Sequence, residues 1–553
     1  MTDKLNLALA QINTTVGDIA RNLERMRAAR AEARRQGADL VVFPELTVSG
    51  YPPEDLVLQP LFQDRAAAAV ERLAAETSDG GPAMVVGAPW REDGKLYNAA
   101  FLLDGGAIAA KRFKHDLPNY GVFDEKRVFD AAPPPGPVNF RGVRLGLMIC
   151  EDMWTPDVTE TLQESGAELL IVPNGSPYES DKLDERLNLA VARVVEADLP
   201  LVYVNQICGQ DELVFDGASF VLNADRRLAA QAPAWREHVM TTRWSRGSNG
   251  AWTSAPGEMH AQPERLEAIY NAMVLGLRDY VRKNGFPGVA LGLSGGVDSA
   301  LSAAVAVDAL GADKVWCLMM PSPYTSAESL EDAAAVASMI GARHDVIAIT
   351  PAMLAYTEML KPIFAGRAPD TTEENIQARA RGITLMALSN KLGHMVLSTG
   401  NKSEMSVGYA TLYGDMCGGY SVLKDVYKMD VFALSRWRNA QKPDGALGPA
   451  GDVMPERVIT KPPSAELKPN QKDEDSLPPY AVLDGILECL IEREMRLDEI
   501  VAKGFERATV LRVRRMLDRA EYKRRQAPPG VKITRRSFGR DRRYPITNGF
   551  NGQ

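Results

Sequence analysis

Two long stretches of this chain repeat one unit, a short apolar run followed by an amphipathic segment, and nothing else in it constrains the fold more. An apolar run of about four to eight residues has to be buried, and the backbone groups it carries inside find partners only in a neighbouring strand. Amphipathic segments between such runs cover the resulting sheet, which implies layered α/β domains. In the first stretch, strands are expected at 5–12, 39–43, 83–88, 143–149, 168–172 and 201–204, with helices at 18–36 and 181–197. In the second, a helix at 266–283 precedes a strand at 289–293, a glycine turn and a helix at 299–309. Further strands of a parallel sheet are expected at 315–320, 343–349 and 395–398. Residues 244–263, rich in Gly, Ser and Pro and without periodicity, separate the two stretches. The expected organisation is therefore a domain at 1–243, a linker at 244–263 and a domain at 264–553. Residues 442–480, dense in Pro, Gly and charge, read as a functional loop region.

Composition narrows the function. With 45% apolar and 25% charged residues, the chain is not mainly disordered, collagenous or coiled coil. It carries 64 basic and 72 acidic residues, a net charge of −8, which argues against a dedicated nucleic-acid binder. The charge is uneven, since residues 504–553 hold 14 basic and 4 acidic side chains. That basic segment reads either as a substrate-facing or subunit-facing surface or as a solvated helix and tail. Met1-Thr-Asp-Lys4 lacks the apolar core and cleavage site of a signal peptide, and no apolar run approaches the roughly 18 residues of a membrane helix. Cys150, Cys208, Cys317, Cys417 and Cys489 show no CxxC pairing, so a reducing cytoplasm is the expected location.

One cysteine stands where chemistry is feasible. The strand at 143–149 runs straight into Cys150-Glu-Asp152, while the strand at 39–43 ends just before Glu45. Lys114 follows the strand pair around Phe101. A thiol needs a base, and acyl transfer needs a positive group beside the developing oxyanion; Glu, Lys and Cys supply those three roles. By spacing alone, a buried structural thiol, a strand-end cap and a solvated surface lysine are the commoner explanation of the same residues. The strings Phe43-Pro-Glu45-Leu-Thr-Val-Ser-Gly-Tyr-Pro-Pro53, Lys114-His-Asp-Leu-Pro-Asn-Tyr120-Gly-Val-Phe-Asp-Glu125 and Cys150-Glu-Asp-Met-Trp154 resemble, in order, the three signatures of the nitrilase superfamily. The resemblance implies an αββα sandwich with Cys150 as nucleophile, Glu45 as general base, Lys114 stabilising the tetrahedral intermediate and Glu125 as an extra carboxylate near the lysine. Asn174-Gly-Ser176-Pro-Tyr-Glu-Ser-Asp-Lys182 is similar to the glutaminase branch, which implies that Tyr120, Ser176 and Lys182 hold glutamine.

A second constellation follows the strand at 289–293. Gly292-Leu293-Ser294-Gly295-Gly296-Val297-Asp298-Ser299 is a glycine turn opening a helix, whose N–H groups and dipole suit an anion, with Asp298 placed to hold Mg²⁺ against phosphates. Gly292-Leu-Ser294-Gly-Gly296 also satisfies the G-x-S-x-G nucleophile elbow, whereas a Walker A loop is excluded because no Lys-Ser or Lys-Thr follows. The full SGGVDS string resembles the loop of the N-type ATP pyrophosphatases, which implies a doubly wound, Rossmann-like adenine nucleotide alpha hydrolase fold.

Further on, Glu374-Asn375-Ile-Gln-Ala-Arg379-Ala-Arg381-Gly, Ser398-Thr399-Gly-Asn-Lys-Ser-Glu404, Gly408-Tyr-Ala-Thr-Leu-Tyr413-Gly-Asp415, Lys461-Pro-Pro-Ser464-Ala-Glu-Leu467 and Gln471-Lys-Asp473-Glu-Asp-Ser-Leu-Pro-Pro-Tyr480 resemble the NAD synthetases. With both halves, the chain is similar to the bacterial glutamine-dependent members of that family. This resemblance implies ATP contacts from residues 292–299 and Thr399, and deamido-NAD contacts from Asn375, Glu404 and Lys523. Asp298 and Glu404 would hold Mg²⁺, residues 461–479 would close over the reacting phosphates, and the synthetase domain would pair into at least a homodimer. Fusion of the halves implies that ammonia passes from the glutamine site to the adenylate site without loss to water. Two rivals predict otherwise: a plain amidase with a regulatory nucleotide module, and a non-enzymatic, basic-tailed nucleic-acid partner.

Overall fold

Alternate residues of the first strand face two different cores. The computed structural model describes residues 3–180, 182–469 and 471–550, and divides into two compact units, 1–263 and 264–553. In the first unit, β1 (Lys4–Gln11) turns Leu5, Leu7 and Leu9 towards a second sheet, and Ala8 and Ala10 towards α1 (Ile19–Arg35). That is the two-residue period of a strand buried on both faces. β2 (Leu40–Val42), α2 (Pro60–Glu76), β3 (Ala83–Glu92), β4 (Lys95–Asp104) and β5 (Ala107–Phe113) extend the first sheet and its helical cover. The second sheet contains β6 (Val138–Phe140), β7 (Val143–Leu147), β8 (Leu169–Asn174) and β9 (Leu201–Asn205), covered by α3 (Asp157–Glu164) and α4 (Lys182–Ala197). Asp181, where the sequence starts this last helix, lies outside the described residues. β10 (Ile207–Gln210) and β11 (Leu213–Asp216) make a separate hairpin, and β12 (Phe220–Leu222) and β13 (Leu228–Gln231) complete the second sheet. Leu145, Leu147, Ile171, Val202 and Val204 meet the first sheet's leucines and valines across the middle. The layers are α, β, β, α.

The proposed linker does not behave as one over its first half. β14 (His238–Arg246) pairs antiparallel with β1 along its full length, and β15 (Trp252–Ser254) adds an edge strand beyond it. Trp244 and Trp252 are both buried in the inter-sheet core. Gly and Ser at 247–250 form the turn between the two strands, which is why composition imitated a linker.

The second unit is a parallel sheet ordered β18-β17-β16-β19-β20, built from β16 (Val289–Gly292), β17 (Val315–Met319), β18 (Arg343–Val346), β19 (Met395–Ser398) and β20 (Tyr420–Ser421). The order reverses at β16, so a crevice opens between the carboxyl ends of β16 and β19, where doubly wound sheets take their ligands. α5 (Arg265–Lys283), α6 (Val297–Leu310) and α7 (Ala327–Ile340) alternate with the first strands. α8 (Thr350–Leu360) and α9 (Thr371–Leu392) come before β19, and Ala380 and Leu385 of α9 pack on Ala290 and Val396 of the sheet. α10 (Lys402–Val407), α11 (Lys428–Ala440) and α12 (Glu456–Thr460) lead to a C-terminal cluster of α13 (Tyr480–Ile491), α14 (Leu497–Ala502), α15 (Arg507–Arg519) and α16 (Glu521–Arg524). Val510, Val513 and Leu517 bury one face of α15 against Leu483 and Leu487 of α13. The basic C-terminal stretch is therefore not one continuous charged surface. Arg524 and Arg542 are buried on Glu521, and Lys532 on Asp541. Among the described residues, no helix is long and apolar enough to cross a membrane.

If β15 belongs to the core, Trp252→Ala should lower the unfolding free energy by about 3–5 kcal/mol in a urea titration, as for other buried aromatics. A change within about 0.5 kcal/mol, the usual surface value, would return this segment to a linker.

Candidate active sites

The first site forms where the ends of β2, β5, β7 and β8 come together. Glu45, three residues beyond β2, accepts from Asn98 Nδ2 (2.7 Å) and Lys114 Nζ (2.7 Å) at Oε1, and from the Gly175 amide (3.0 Å) at Oε2. Lys114 Nζ also lies 2.9 Å from Glu125 Oε2, and Glu125 accepts from the Tyr51 hydroxyl at 2.8 Å. Lys114, Glu45 and Glu125 are all buried. Burial opposes the ammonium, but Glu125 and Glu45 hold its pKa well above the ordinary lysine value. For Glu125, burial outweighs the lysine's attraction and pushes the carboxyl up to about 7.

Cys150 follows β7 at a sharp elbow with φ of 49°, a left-handed conformation that costs a non-glycine residue about 1–3 kcal/mol. Its thiol is buried. Desolvation and the neighbouring Glu45 raise its pKa well above the usual value, against the opposing pull of Lys114 and the Gly175 amide. The resting group is thus a neutral thiol, and a base is required to activate it. Glu45 is the base the geometry offers.

Asp152 sets the elbow. One of its oxygens accepts from the amides of His115 (2.9 Å) and Asp116 (2.8 Å), and the other from Ile149 (2.9 Å). A single carboxylate therefore ties the lysine segment to the cysteine segment. Gly175 is the other fixed point, because a Cβ there would stand 2.8 Å from Tyr51 Cδ1 and 3.0 Å from Glu45 Oε2. At the outer side, the exposed Tyr120 donates to Glu151 (3.0 Å), and Lys182 lies 4.8 Å from the Trp154 ring centroid. Lys182 also pulls on the Glu151 carboxyl, so Tyr120 and Lys182 converge on one acidic group beside Cys150. Ser176 is placed differently: it is buried, and its hydroxyl accepts from Arg186 Nε at 3.0 Å.

In the second unit, a cavity of about 470 Å³ opens at the reversal of strand order. Gly292, Leu293, Ser294, Gly296, Val297, Asp298, Ser299, Thr399 and Glu404 line it. Gly295 does not. It sits behind the turn with φ of 80°, and a Cβ there would meet the Ser329 carbonyl oxygen at 2.4 Å, so only glycine lets the turn lie on α7. Ser294 and Ser299 share a hydrogen bond of 3.1 Å across the turn. Asp298 accepts from Asn401 Nδ2 (2.8 Å) and pairs with Lys428, whose ammonium also lies 3.1 Å from Glu404. Burial pushes the Glu404 carboxyl up to about 7, ahead of the opposing pull of Lys428. Asp473, from the loop beyond α12, faces the same ammonium. Three carboxylates around one cation give an oxygen donor set suited to a hard divalent ion.

The same loop lies against the cavity. Lys461 Nζ is 3.0 Å from Asp332, Gln377 donates to the Leu467 carbonyl (2.9 Å), and Glu466 accepts from the Ser326 and Ser329 hydroxyls at 2.8 Å each. Asn470, within it, lies outside the described residues. Asn375 and Lys523 are not among the cavity's lining residues. Both hold the neighbouring loop, Asn375 through Thr411 (3.0 Å) and Lys523 through the carbonyls of Gly408 (2.7 Å) and Ala410 (2.6 Å).

The sequence did not point to Tyr51, Asn98, Asp152, Gly175 or Lys428. Asp152 had a local signal, since it follows the cysteine within the quoted string. Lys428 had none, because its partners lie 24 and 130 positions away.

Residues 6–253 match the carbon-nitrogen hydrolase family model and residues 269–527 the NAD synthase model. Fold and sites together define a carbon-nitrogen hydrolase domain joined to an NAD synthase domain. The chain is 51% identical over 553 residues to a glutamine-dependent NAD(+) synthetase of Rhodobacter capsulatus, with all of both chains covered. It is 42% identical to that of Thermotoga maritima, covering 99% of each. A solved glutamine-dependent NAD+ synthetase from Acinetobacter baumannii, in complex with adenosine diphosphate, is 43% identical and superposes over 100% of both chains with a TM-score of 0.79. A relative from Cytophaga hutchinsonii shares the fold at 22% identity, with a TM-score of 0.82 over 99% of this chain and 98% of its own. The chain belongs to the glutamine-dependent NAD(+) synthetases, and is a ligase.

Two predictions follow from the first site's packing. Gly175→Ala displaces Glu45 or Tyr51 and should lower amide hydrolysis about 100-fold in a steady-state assay, the usual cost of misplacing a reacting group by about 1 Å. Glu125 titrates near 7 in the folded chain and at 4.5 in its ordinary state, so between these values the folded form holds a proton that the unfolded form releases. Stability therefore falls as pH rises through this window, by up to about 1.4 kcal/mol per pH unit, and urea titrations of Glu125→Gln should show that slope reduced.

Proposed function

We propose that the first unit supplies ammonia from glutamine and that the second uses ATP to convert deamido-NAD to NAD. The observation that carries this reading is the buried convergence of Glu45 and Lys114 beside the Cys150 elbow, in a chain that also carries the lined crevice of a parallel nucleotide fold. At the first site, Glu45 takes the thiol proton as Cys150 attacks the side-chain amide carbon. Lys114 stabilises the oxyanion. Glu45 returns that proton to the departing nitrogen as collapse releases ammonia and leaves a thioester, and water activated by the regenerated Glu45 carboxylate then releases glutamate. Tyr120 and Lys182 address the charged end of glutamine beside Glu151, while Ser176 is positioned through Arg186.

At the second site, the nicotinate carboxylate attacks the α-phosphorus of ATP, giving an acyl-adenylate and pyrophosphate, and ammonia displaces AMP. A carboxylate is a poor electrophile, which is why activation precedes amidation. The amides and hydroxyls of residues 292–299 and Thr399 hold ATP. Glu404, with Asn375 and Lys523 through the 408–411 loop, addresses deamido-NAD. Asp298 and Glu404 are the residues that would hold Mg²⁺, which when bound offsets negative charge on the phosphates. The loop at 461–479 excludes water from the adenylate. The exposed Leu354 and Met359 of α8, with nearby Ile363, support a pairing surface for at least a homodimer. Five cysteines with no disulfide among them fit a cytoplasmic location.

Cys150→Ala should abolish NAD formation from glutamine and leave formation from ammonium intact. Hydrolysis of amides by the wild type with no NAD from either donor would favour a plain amidase. Transfer of ammonia without release predicts that an external ammonia scavenger leaves glutamine-driven NAD formation unchanged; abolition would exclude such transfer.

A further inference from the structure

Outside both sites, two of the chain's five histidines converge on one carboxylate. His238, the first residue of β14, places Nε2 2.9 Å from Glu258 Oε2, and His260 places its own Nε2 3.0 Å from the same oxygen. The rings are edge to face, with centroids 5.5 Å apart, and the three ligand atoms lie within 4.8 Å of one another. The backbone builds this arrangement. Gln231 donates to the Glu258 carbonyl (2.8 Å) and accepts from the His260 amide (3.0 Å), so Met259 bridges to the second sheet's edge in extended geometry. In that geometry residues 258 and 260 project to the same side, towards His238. Glu32 of α1 adds negative charge close to His238.

We infer that His238, Glu258 and His260 form a binding site for a divalent transition-metal ion of the zinc class. Imidazole with one carboxylate suits zinc, nickel, copper or iron and is a poor set for magnesium, which keeps the site distinct from the carboxylates of the second unit. Around a tetrahedral ion with bonds of about 2.0–2.1 Å, ligand atoms stand roughly 3.3–3.4 Å apart, so the two carboxylate–imidazole separations need open by only a few tenths of an ångström. The half-exposed rings leave the fourth position to water. A bound ion would clamp the segment after β15 onto β14 and close the intervening hairpin.

The test uses the full-length, tag-free chain, stripped with chelator and titrated calorimetrically with Zn²⁺ in excess Mg²⁺. One ion per chain is expected, with affinity falling by more than about tenfold in each of His238→Ala, His260→Ala and Glu258→Gln. In parallel, Co²⁺ bound to the wild-type chain should give a visible spectrum without a thiolate charge-transfer band, a readout that needs no variant to fold. Zn²⁺ should also raise the Tm of the wild type and not of the variants. Equal binding by wild type and the His238→Ala/His260→Ala double variant, no binding, or a thiolate band placing the ion on a cysteine would each overturn the proposal.

Discussion

A lysine ammonium with no contact with solvent depends entirely on its partners, and Lys114 has two, Glu45 and Glu125. Moving a charge out of water costs several kcal/mol even after relaxation, and removing one member of a buried pair typically costs about 3–5 kcal/mol. The arrangement is therefore a constraint before it is a catalyst. Four strand ends must arrive together for the ammonium to be tolerated, and Asn98, Tyr51, the Gly175 amide and Asp152 each fix one approach. The strained Cys150 backbone persists because this network over-determines it.

The second unit uses a similar device for another purpose. Lys428 is buried between Asp298 and Glu404, with Asp473 close by, at the open end of the sheet. Where the first lysine is enclosed beside a buried thiol, this one stands at the wall of a cavity lined by a glycine turn. One pairing sets the charge beside a buried thiol. The other gathers three carboxylates around one ammonium at the wall of the cavity.

The paired α/β architecture and its central strands were legible because burial leaves a periodic trace in the sequence, whereas α2, α9, α11, α13 and α15 were not picked out. Glu45, Lys114, Cys150 and the 292–299 turn stood out as strings that resemble family signatures, while their strand-end positions alone left structural roles open. The segment 244–263 was misjudged in its first half. An edge hairpin with a Gly–Ser turn has the composition of a linker, and only the register of β14 against β1 and the burial of Trp252 distinguish them. Lys523 illustrates the opposite difficulty, for a basic residue in a basic stretch gives no sign that its amine will be used on two backbone carbonyls.

By itself the amino-acid sequence determined two α/β halves and the chemical types present at each strand end. It did so because hydrophobic periodicity and turn chemistry act over short distances along the chain. Only the tertiary structure decided which charges neutralise one another. Glu45 and Lys114 are 69 positions apart, Asp298 and Lys428 130 apart. Such pairs leave no local pattern, and their proton affinities are set by burial and neighbours that exist only after folding.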